Sequence, residues 1–199
     1  MQVIGVVGGI ASGKSAVAEH FRRLGAEVLS ADRIGHEVLR EAEVQRAIRE
    51  RWGEAAFDPH GRVDRGSLAR IVFAPPPEGP RERLYLEQIT HPRIGKRLQQ
   101  RIAELAQGNG PKAVVLDAAV LFEAGWDALC EKIVFVEAPR SQRQQRALHR
   151  GWSEAEFSAR EAAQESLDDK RQRADWVIDN SGPPENTFSQ VQQIWRSLG

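Results

Sequence analysis

A lysine and a serine that end a glycine-rich turn are the residues with the clearest chemical role. Gly8, Gly13, Lys14 and Ser15 fit the G-x-x-x-x-G-K-S/T template of a phosphate-binding loop. Glycines let successive backbone N–H groups point into such a turn, and the following helix adds the positive end of its dipole. The spacing therefore predicts nucleotide binding, with Lys14 at the β and γ phosphates and the Ser15 hydroxyl as a ligand of Mg²⁺.

An ordinary strand-to-helix turn is the alternative, but the sequence on both sides favours the phosphate loop. An apolar run precedes the turn, and apolar residues at helical spacing follow it. The predicted nucleotide contacts are Gly9, Ile10, Ala11, Ser12, Gly13, Lys14, Ser15 and Ala16.

Two carboxylates follow apolar runs and are candidates for chemistry at the phosphate. Asp32 could accept the proton of an acceptor hydroxyl, or it could cap a helix that starts at Arg33. Asp117 could hold the metal through water, or hydrogen-bond a neighbouring loop. The residues alone leave both choices open.

Three arginines are spaced to share one face of a helix. Arg143, Arg146 and Arg150 stand at i, i+3 and i+7, which suits a cluster directed at polyphosphate. The alternative is a solvated face paired with Glu154 and Glu156, and for an arbitrary arginine-rich helix that reading is favoured.

Composition excludes several classes of protein. Lys+Arg and Asp+Glu are both 28 among 199 residues, so no global positive field would drive binding to nucleic acid or to an acidic membrane. Cys130 is the only cysteine and the five histidines lack metal-ligand spacing, which argues against disulfides and zinc. Without an apolar run long enough to span a bilayer, we expect a cytoplasmic protein, and we expect it to be a monomer.

The elements that must position these residues alternate between strands and helices. Predicted strands cover 3–7, 26–29, 113–117, 132–136 and 176–179, and helices are predicted over 16–24, 32–51, 81–106 and 185–198. The polar segment 140–170 is predicted to be helical, with little to bury, and to act as a mobile cover.

This order predicts an α/β protein, a three-layer P-loop fold with a parallel five-stranded sheet. The chain would be a single domain with a core of about 1–32, 109–139 and 174–199. Segment 33–108 would be a helical substrate-binding insertion, and 140–170 would be a lid.

Motifs along nearly the whole chain resemble those of the dephospho-CoA kinases. Gly8–Ser15 resembles the family's G-G-I-G-S-G-K-S, Ala31-Asp32 the end of its D-A-D, and His91-Pro92 its H-P. Asp117 with Leu121-Phe122-Glu123 resembles its D-x-P-L-L-F-E. Further matches are Gln145-Arg146, Arg150, Ser153, Arg160, Gln164, Lys170, Ala174-Asp175 and 177–180.

The resemblance implies ATP-dependent phosphorylation of the ribose 3′-hydroxyl of dephospho-CoA, the last step of coenzyme A synthesis. It implies Asp32 as the catalytic base, Lys14, Arg146 and Arg150 near the phosphates, and Asn180 and Gly182 near the adenine. The substrate-binding residues that it implies are Asp32, His91, Asp117, Leu121, Phe122 and Glu123.

Four positions depart from the family's pattern: Val7, Ala11, Ser30 and Ala119. Two other functions remain open, a P-loop kinase with a different small acceptor and a regulator that binds ATP without transferring phosphate.

Overall fold

The computed structural model describes residues 1–198, which form two compact units. The first unit contains Met1–Ala31 and 99–198, and the second contains Asp32–Leu98. The first holds the sheet and the glycine-rich loop, and the second is helical.

The sheet has five parallel strands in the order β2-β3-β1-β4-β5. The strands are β1 (Gln2–Val7), β2 (Glu27–Ser30), β3 (Ala113–Asp117), β4 (Lys132–Glu137) and β5 (Trp176–Asp179). All five predicted strands are confirmed within a residue of their ends. Their apolar runs lack alternation because a parallel sheet is covered on both faces.

The helices of the described chain are α1 (Lys14–Arg23), α2 (Ala31–Val38), α3 (Ala42–Trp52), α4 (Arg65–Val72), α5 (Glu78–Leu105), α6 (Arg140–Leu148), α7 (Glu154–Ala162), α8 (Leu167–Gln172) and α9 (Pro184–Ser197). Short 3₁₀ turns lie at Gly53–Ala56 and Trp126–Leu129. None of the helices in residues 1–198 is long and apolar enough to cross a membrane.

One face of the sheet packs against α1 and α9. Ile4 and Val6 of β1 are fully buried there with Phe21 of α1 and Val191 of α9. This packing fixes the end of β1, and therefore the loop that follows it, against the start of α1.

The prediction of one helix over 32–51 is wrong, because the chain forms α2 and α3 with a turn at 39–41. Glu41 has an extended backbone (φ −67°, ψ 134°), and its carboxylate lies 2.7 Å from Arg97 and 3.3 Å from Arg93 of α5. The break carries no glycine or proline, so the amphipathic pattern runs through it. The ion pairs between Glu41 and α5 occur where the helix is broken, and local sequence does not reveal such contacts between distant residues.

The prediction that segment 140–170 has little to bury is also wrong. The segment forms α6, α7 and the start of α8, and Arg143, Ala147, Phe157 and Lys170 are all at most 3% exposed. Two of these four are cations, so a count of apolar residues underestimates what the segment buries.

Candidate active site

The glycine-rich loop leaves the carboxyl end of β1 and enters α1 at Lys14. Gly8 and Gly13 have positive φ values of 149° and 102°, in the range that favours glycine. Lys14 is 9% exposed, and its ammonium donates to the carbonyls of Gly8 (3.0 Å) and Gly9 (2.9 Å). Lys14 is therefore held over its own loop, the location that the motif requires for a phosphate ligand.

Two side chains from other elements hold the loop at the Ser12 carbonyl. Asn180, which follows β5, donates its Nδ2 to that oxygen at 2.7 Å, and Arg146 of α6 donates Nη1 at 2.9 Å. Arg146 also donates Nη2 to the Asn180 carbonyl at 2.8 Å, and Thr187 donates to the Asn180 Oδ1 at 2.9 Å. Arg146 and Asn180 are thus adjacent to the phosphate loop. The roles that the resemblance implies, Arg146 near the phosphates and Asn180 near the adenine, stay predictions.

Gly13 is required for two separate reasons. Its φ is unfavourable for other residues, and a Cβ at this position would lie only 2.1 Å from the Asn180 Nδ2. The contact between Asn180 and the loop therefore depends on the missing side chain.

Arg143 has a role that the sequence did not reveal. Its guanidinium is buried, lies 2.8 Å from the Glu161 carboxylate of α7, and donates to the carbonyls of Ala138 (3.2 Å) and Ile10 (3.4 Å). A Cβ on Gly9 would lie 2.8 Å from it. Arg143 therefore joins α6 and α7 to the loop, and an arginine count cannot distinguish it from a surface residue.

Arg150 does not share the helical face proposed for it. Helix α6 ends at Leu148, and Arg150 is exposed in the turn before Gly151, whose φ is 83°. The i, i+7 relation holds only while a helix continues, so the predicted three-arginine cluster is reduced to Arg143 and Arg146.

Ala11 is the one non-glycine residue in residues 1–198 with positive φ, at 58°. This left-handed conformation costs an L-residue about 1–2 kcal/mol. The Ala11 methyl is buried against Ala147 and Phe157, with Ile10 and Trp152 packed on the same cluster. Packing to the segment after β4 therefore offsets the strain where the family pattern has glycine.

Ser15 and Ala16 are exposed in the first turn of α1, and Asp117 is half-buried at the carboxyl end of β3. Asp117 pairs in register with Val6 of β1 and with Ser30 of β2. A hydroxyl and a carboxylate are the hard oxygen donors that Mg²⁺ prefers. Residues 1–198 contain no group of three or more His, Cys, Asp or Glu side chains arranged for a metal ion. The Ser15 hydroxyl and the Asp117 carboxylate are chemically suited to Mg²⁺, whose remaining ligands would be nucleotide phosphate oxygens.

Asp32 lies in the first turn of α2, with its side chain exposed. The helix begins at Ala31, so the N-cap position falls on Ser30 and the capping role considered for Asp32 is not observed. An exposed carboxylate at the start of a helix is accessible to a ligand hydroxyl.

The other residues implied by the resemblance have varied surroundings. His91 is half-buried in α5 of the second unit. Leu121 is fully buried, and Phe122 lies beneath the Arg173 guanidinium at 3.6 Å from the ring centroid. Glu123 accepts from the buried Lys170 ammonium at 2.7 Å and from the Glu165 amide at 2.9 Å.

Hydrogen bonds of Asp179 hold the turn after β5. Asp179 accepts from the Ser181 amide at 2.8 Å, and hydrogen bonds from Ser181 hold the pKa of the Asp179 carboxyl below its usual value. Gly182 follows in this turn, before α9. Burial raises the pKa of the Cys130 thiol to about 12, which disfavours the thiolate form that acts as a nucleophile.

Comparisons of the sequence with known proteins all indicate the same family. The model of the dephospho-CoA kinase family matches residues 2–185. The chain is 40% identical over 200 residues to the dephospho-CoA kinase of Symbiobacterium thermophilum, covering 99% of this chain and 81% of that protein. It is 39% identical over 197 residues to that of Geobacter sulfurreducens, covering 98% of each.

Solved structures agree in fold. TT1252 from Thermus thermophilus superposes with a TM-score of 0.80 at 33% identity, covering 98% of this chain and 96% of that one. A shikimate kinase from Acinetobacter baumannii, at 16% identity, has a TM-score of 0.51 over 100% of this chain and 93% of that one. The second similarity concerns the fold alone and confirms the prediction of a P-loop kinase architecture.

Proposed function

The chain belongs to the dephospho-CoA kinase family, and we propose on that premise that it transfers the γ-phosphoryl group of ATP to the ribose 3′-hydroxyl of dephospho-CoA. The observation that carries this proposal is the complete phosphate loop in a chain matched by the family from residue 2 to residue 185. The products are coenzyme A and ADP.

We propose Asp32 as the general base. Its carboxylate accepts the proton of the 3′-hydroxyl while that oxygen forms a bond to the γ-phosphorus. The bond from the γ-phosphorus to the bridging oxygen breaks, and ADP leaves with the bonding electrons. The exposed position of Asp32 supports this role, since no role as helix cap competes with it.

The cations around the loop stabilise the charge of the transferred group. In the proposed complex, Lys14 exchanges the Gly8 and Gly9 carbonyls for phosphate oxygens, and Arg146 turns from the Ser12 carbonyl towards the same group. Mg²⁺, when bound, neutralises phosphate charge. Ser15 would ligate it directly, and Asp117 would orient it through water.

The remaining residues have proposed roles in binding. Asn180 and Gly182 contribute to the adenine site from the turn after β5. Segment 140–170 acts as a lid in which Arg150, exposed beside Gly151, reaches the phosphates. Segment 33–108, with His91, receives the dephospho-CoA. Further residues proposed to contribute to its binding are Asp117, Leu121, Phe122 and Glu123.

We further propose a cytoplasmic monomer. The large apolar side chains that are exposed in residues 1–198 are Met1, before β1, Leu84 of α5, Leu148 of α6 and Val177 of β5. Scattered exposed apolar residues are normal for a monomer. Light scattering on the purified protein tests this state.

The Asp32→Asn variant tests the proposed chemistry. Asparagine keeps the size of the side chain and cannot accept the proton, so kcat should fall about 10²- to 10⁴-fold while the Kd for ATP stays unchanged. Asp168→Asn is the matched control, because Asp168 is an exposed aspartate in the first turn of α8. It should keep the kcat of the unmodified protein.

ADP release should require dephospho-CoA and should not occur with shikimate, pantothenate or no acceptor. Turnover with another acceptor would support a different small-molecule kinase. If Asp32→Asn retained most of its kcat, Asp32 would not be the base.

A further inference from the structure

The second unit contains a pocket of about 530 Å³ that none of the motifs above explains. We call it the basic pocket. It is lined by His36, Leu39, Arg40, Arg62, Val63 and Arg65, together with Gln45, Asp58 and Asp64. All of these residues belong to Asp32–Leu98.

The two carboxylates of the basic pocket are already satisfied by their own neighbours. Asp58 accepts from the His60 and Arg62 amides and lies 2.9 Å from the Arg62 guanidinium. Asp64 caps α4 by accepting from the Gly66 amide (2.9 Å), and it also accepts from the Ser67 hydroxyl (2.6 Å). Hydrogen bonds from Arg62 and Ser67, respectively, lead the interactions that hold the pKa values of both carboxyls below their usual range.

Two cations of the basic pocket have no such partner. Within residues 1–198, no salt bridge or side-chain hydrogen bond involves Arg40 or Arg65. Both are close enough to His36 for their charges to lower its pKa, after the larger effect of burial. Arg40, Arg65 and His36 therefore line one concavity, and guanidinium and imidazole groups are donors that bind phosphate oxygens.

The position of the basic pocket relative to Asp32 indicates which phosphates would fit. Asp32 and His36 stand at i and i+4 on α2, so they share a face and are separated by about 6 Å along the helix axis. Asp32 is also among the charges that act on His36. An acceptor whose hydroxyl meets Asp32 would place an anionic group a few bonds away at His36.

We propose that the basic pocket binds the diphosphate group of dephospho-CoA through Arg40 and Arg65, with His36 between them and Asp32. This inference rests on the proposed function, because it takes the 3′-hydroxyl to lie at Asp32. In dephospho-CoA the diphosphate is attached to the 5′ carbon of the same ribose, which matches the short separation along α2. The pocket thus fixes the ribose for attack and selects acceptors that carry a 5′-diphosphate.

Binding of dephospho-CoA without ATP tests the pocket by calorimetry. Arg40→Gln and Arg65→Gln should each raise the Kd for dephospho-CoA about 10- to 100-fold, because each removes a charge-assisted contact with phosphate. Their kcat/KM for dephospho-CoA should fall at least as far as their affinity, because the lost contact also positions the ribose. Arg65→Lys should retain part of the affinity, which separates lost charge from a folding defect.

Arg46→Gln is the matched control, since Arg46 is exposed on α3 of the same unit and does not line the pocket. It should leave the Kd unchanged. A second arm uses adenosine, which has the ribose but no diphosphate. Its inhibition constant against dephospho-CoA should be the same in all variants.

An unchanged Kd for dephospho-CoA in both arginine variants would overturn the proposal, as would an equal loss of affinity for adenosine. Failure of the proposed function is a separate result: the unmodified protein would then not phosphorylate dephospho-CoA at all. If the unmodified protein turned over normally and the arginine variants kept its Kd for dephospho-CoA, only the proposed role of the pocket would be refuted.

Discussion

Replacement of Glu123 by alanine should be one of the most destabilising changes on the surface of the first unit. Its carboxylate is the ion-pair partner of Lys170, whose side chain is only 1% exposed. The Lys170 ammonium also donates to the Ala119 carbonyl at 3.3 Å. Glu123→Ala would leave a buried cation whose remaining hydrogen-bond acceptor is the neutral Ala119 carbonyl.

Removing one partner of a buried ion pair costs about 3–5 kcal/mol. The Glu123 side chain is itself 22% exposed, so water can partly replace it and we expect the lower end, about 3 kcal/mol. For a chain of this length that corresponds to a fall in Tm of about 6–12 °C. Lys170→Met keeps the aliphatic stem and leaves a carboxylate that water can reach, so it should cost only about 1 kcal/mol.

The double variant carries the decisive result. With both charges absent, Glu123→Ala/Lys170→Met should be about as stable as Lys170→Met alone, which gives a coupling of about 3 kcal/mol in a double-mutant cycle. Glu104→Ala is the control, because its partner Arg101 is 55% exposed, and it should change the stability by less than about 0.5 kcal/mol. Strict additivity of the two single changes in urea unfolding would refute the reasoning.

Two further outcomes follow from the geometry. Gly13→Ala should abolish ATP binding, because the new Cβ would lie 2.1 Å from the Asn180 side chain. The control is Gly108→Ala, where φ is 73° and no atom lies near, so ATP binding should be normal and the free energy of unfolding should fall by about 1 kcal/mol. Calorimetry of ATP binding distinguishes the two variants. Hydrogen bonds led by Arg51 lower the pKa of Glu82 to about 2 from 4.5, so its stabilisation is present above pH 4.5 and is lost as the pH falls towards 2. The Tm difference between the unmodified protein and Glu82→Gln should therefore shrink over that interval, and a constant difference would contradict this role.

Local sequence was sufficient for the sheet and for the phosphate loop. Strands such as Ala113–Asp117 are continuous apolar runs bounded by turns, and Lys14 and Ser15 follow glycines whose conformation is a local property. The family resemblance added Asn180 and Arg146, and the structure places both against the Ser12 carbonyl. The catalytic role of Asp32 stays a prediction.

The tertiary structure decided which charged residues are interior. Arg143 and Lys170 lie in a segment that reads as a solvated helix, yet Glu161 and Glu123 neutralise them in the interior of the first unit. The end of α6 at Leu148 likewise removes Arg150 from the face that its spacing suggested. Periodicity records which residues share a face of one element. The burial of a charge depends on a partner that is distant in sequence, and only the folded chain brings the two together.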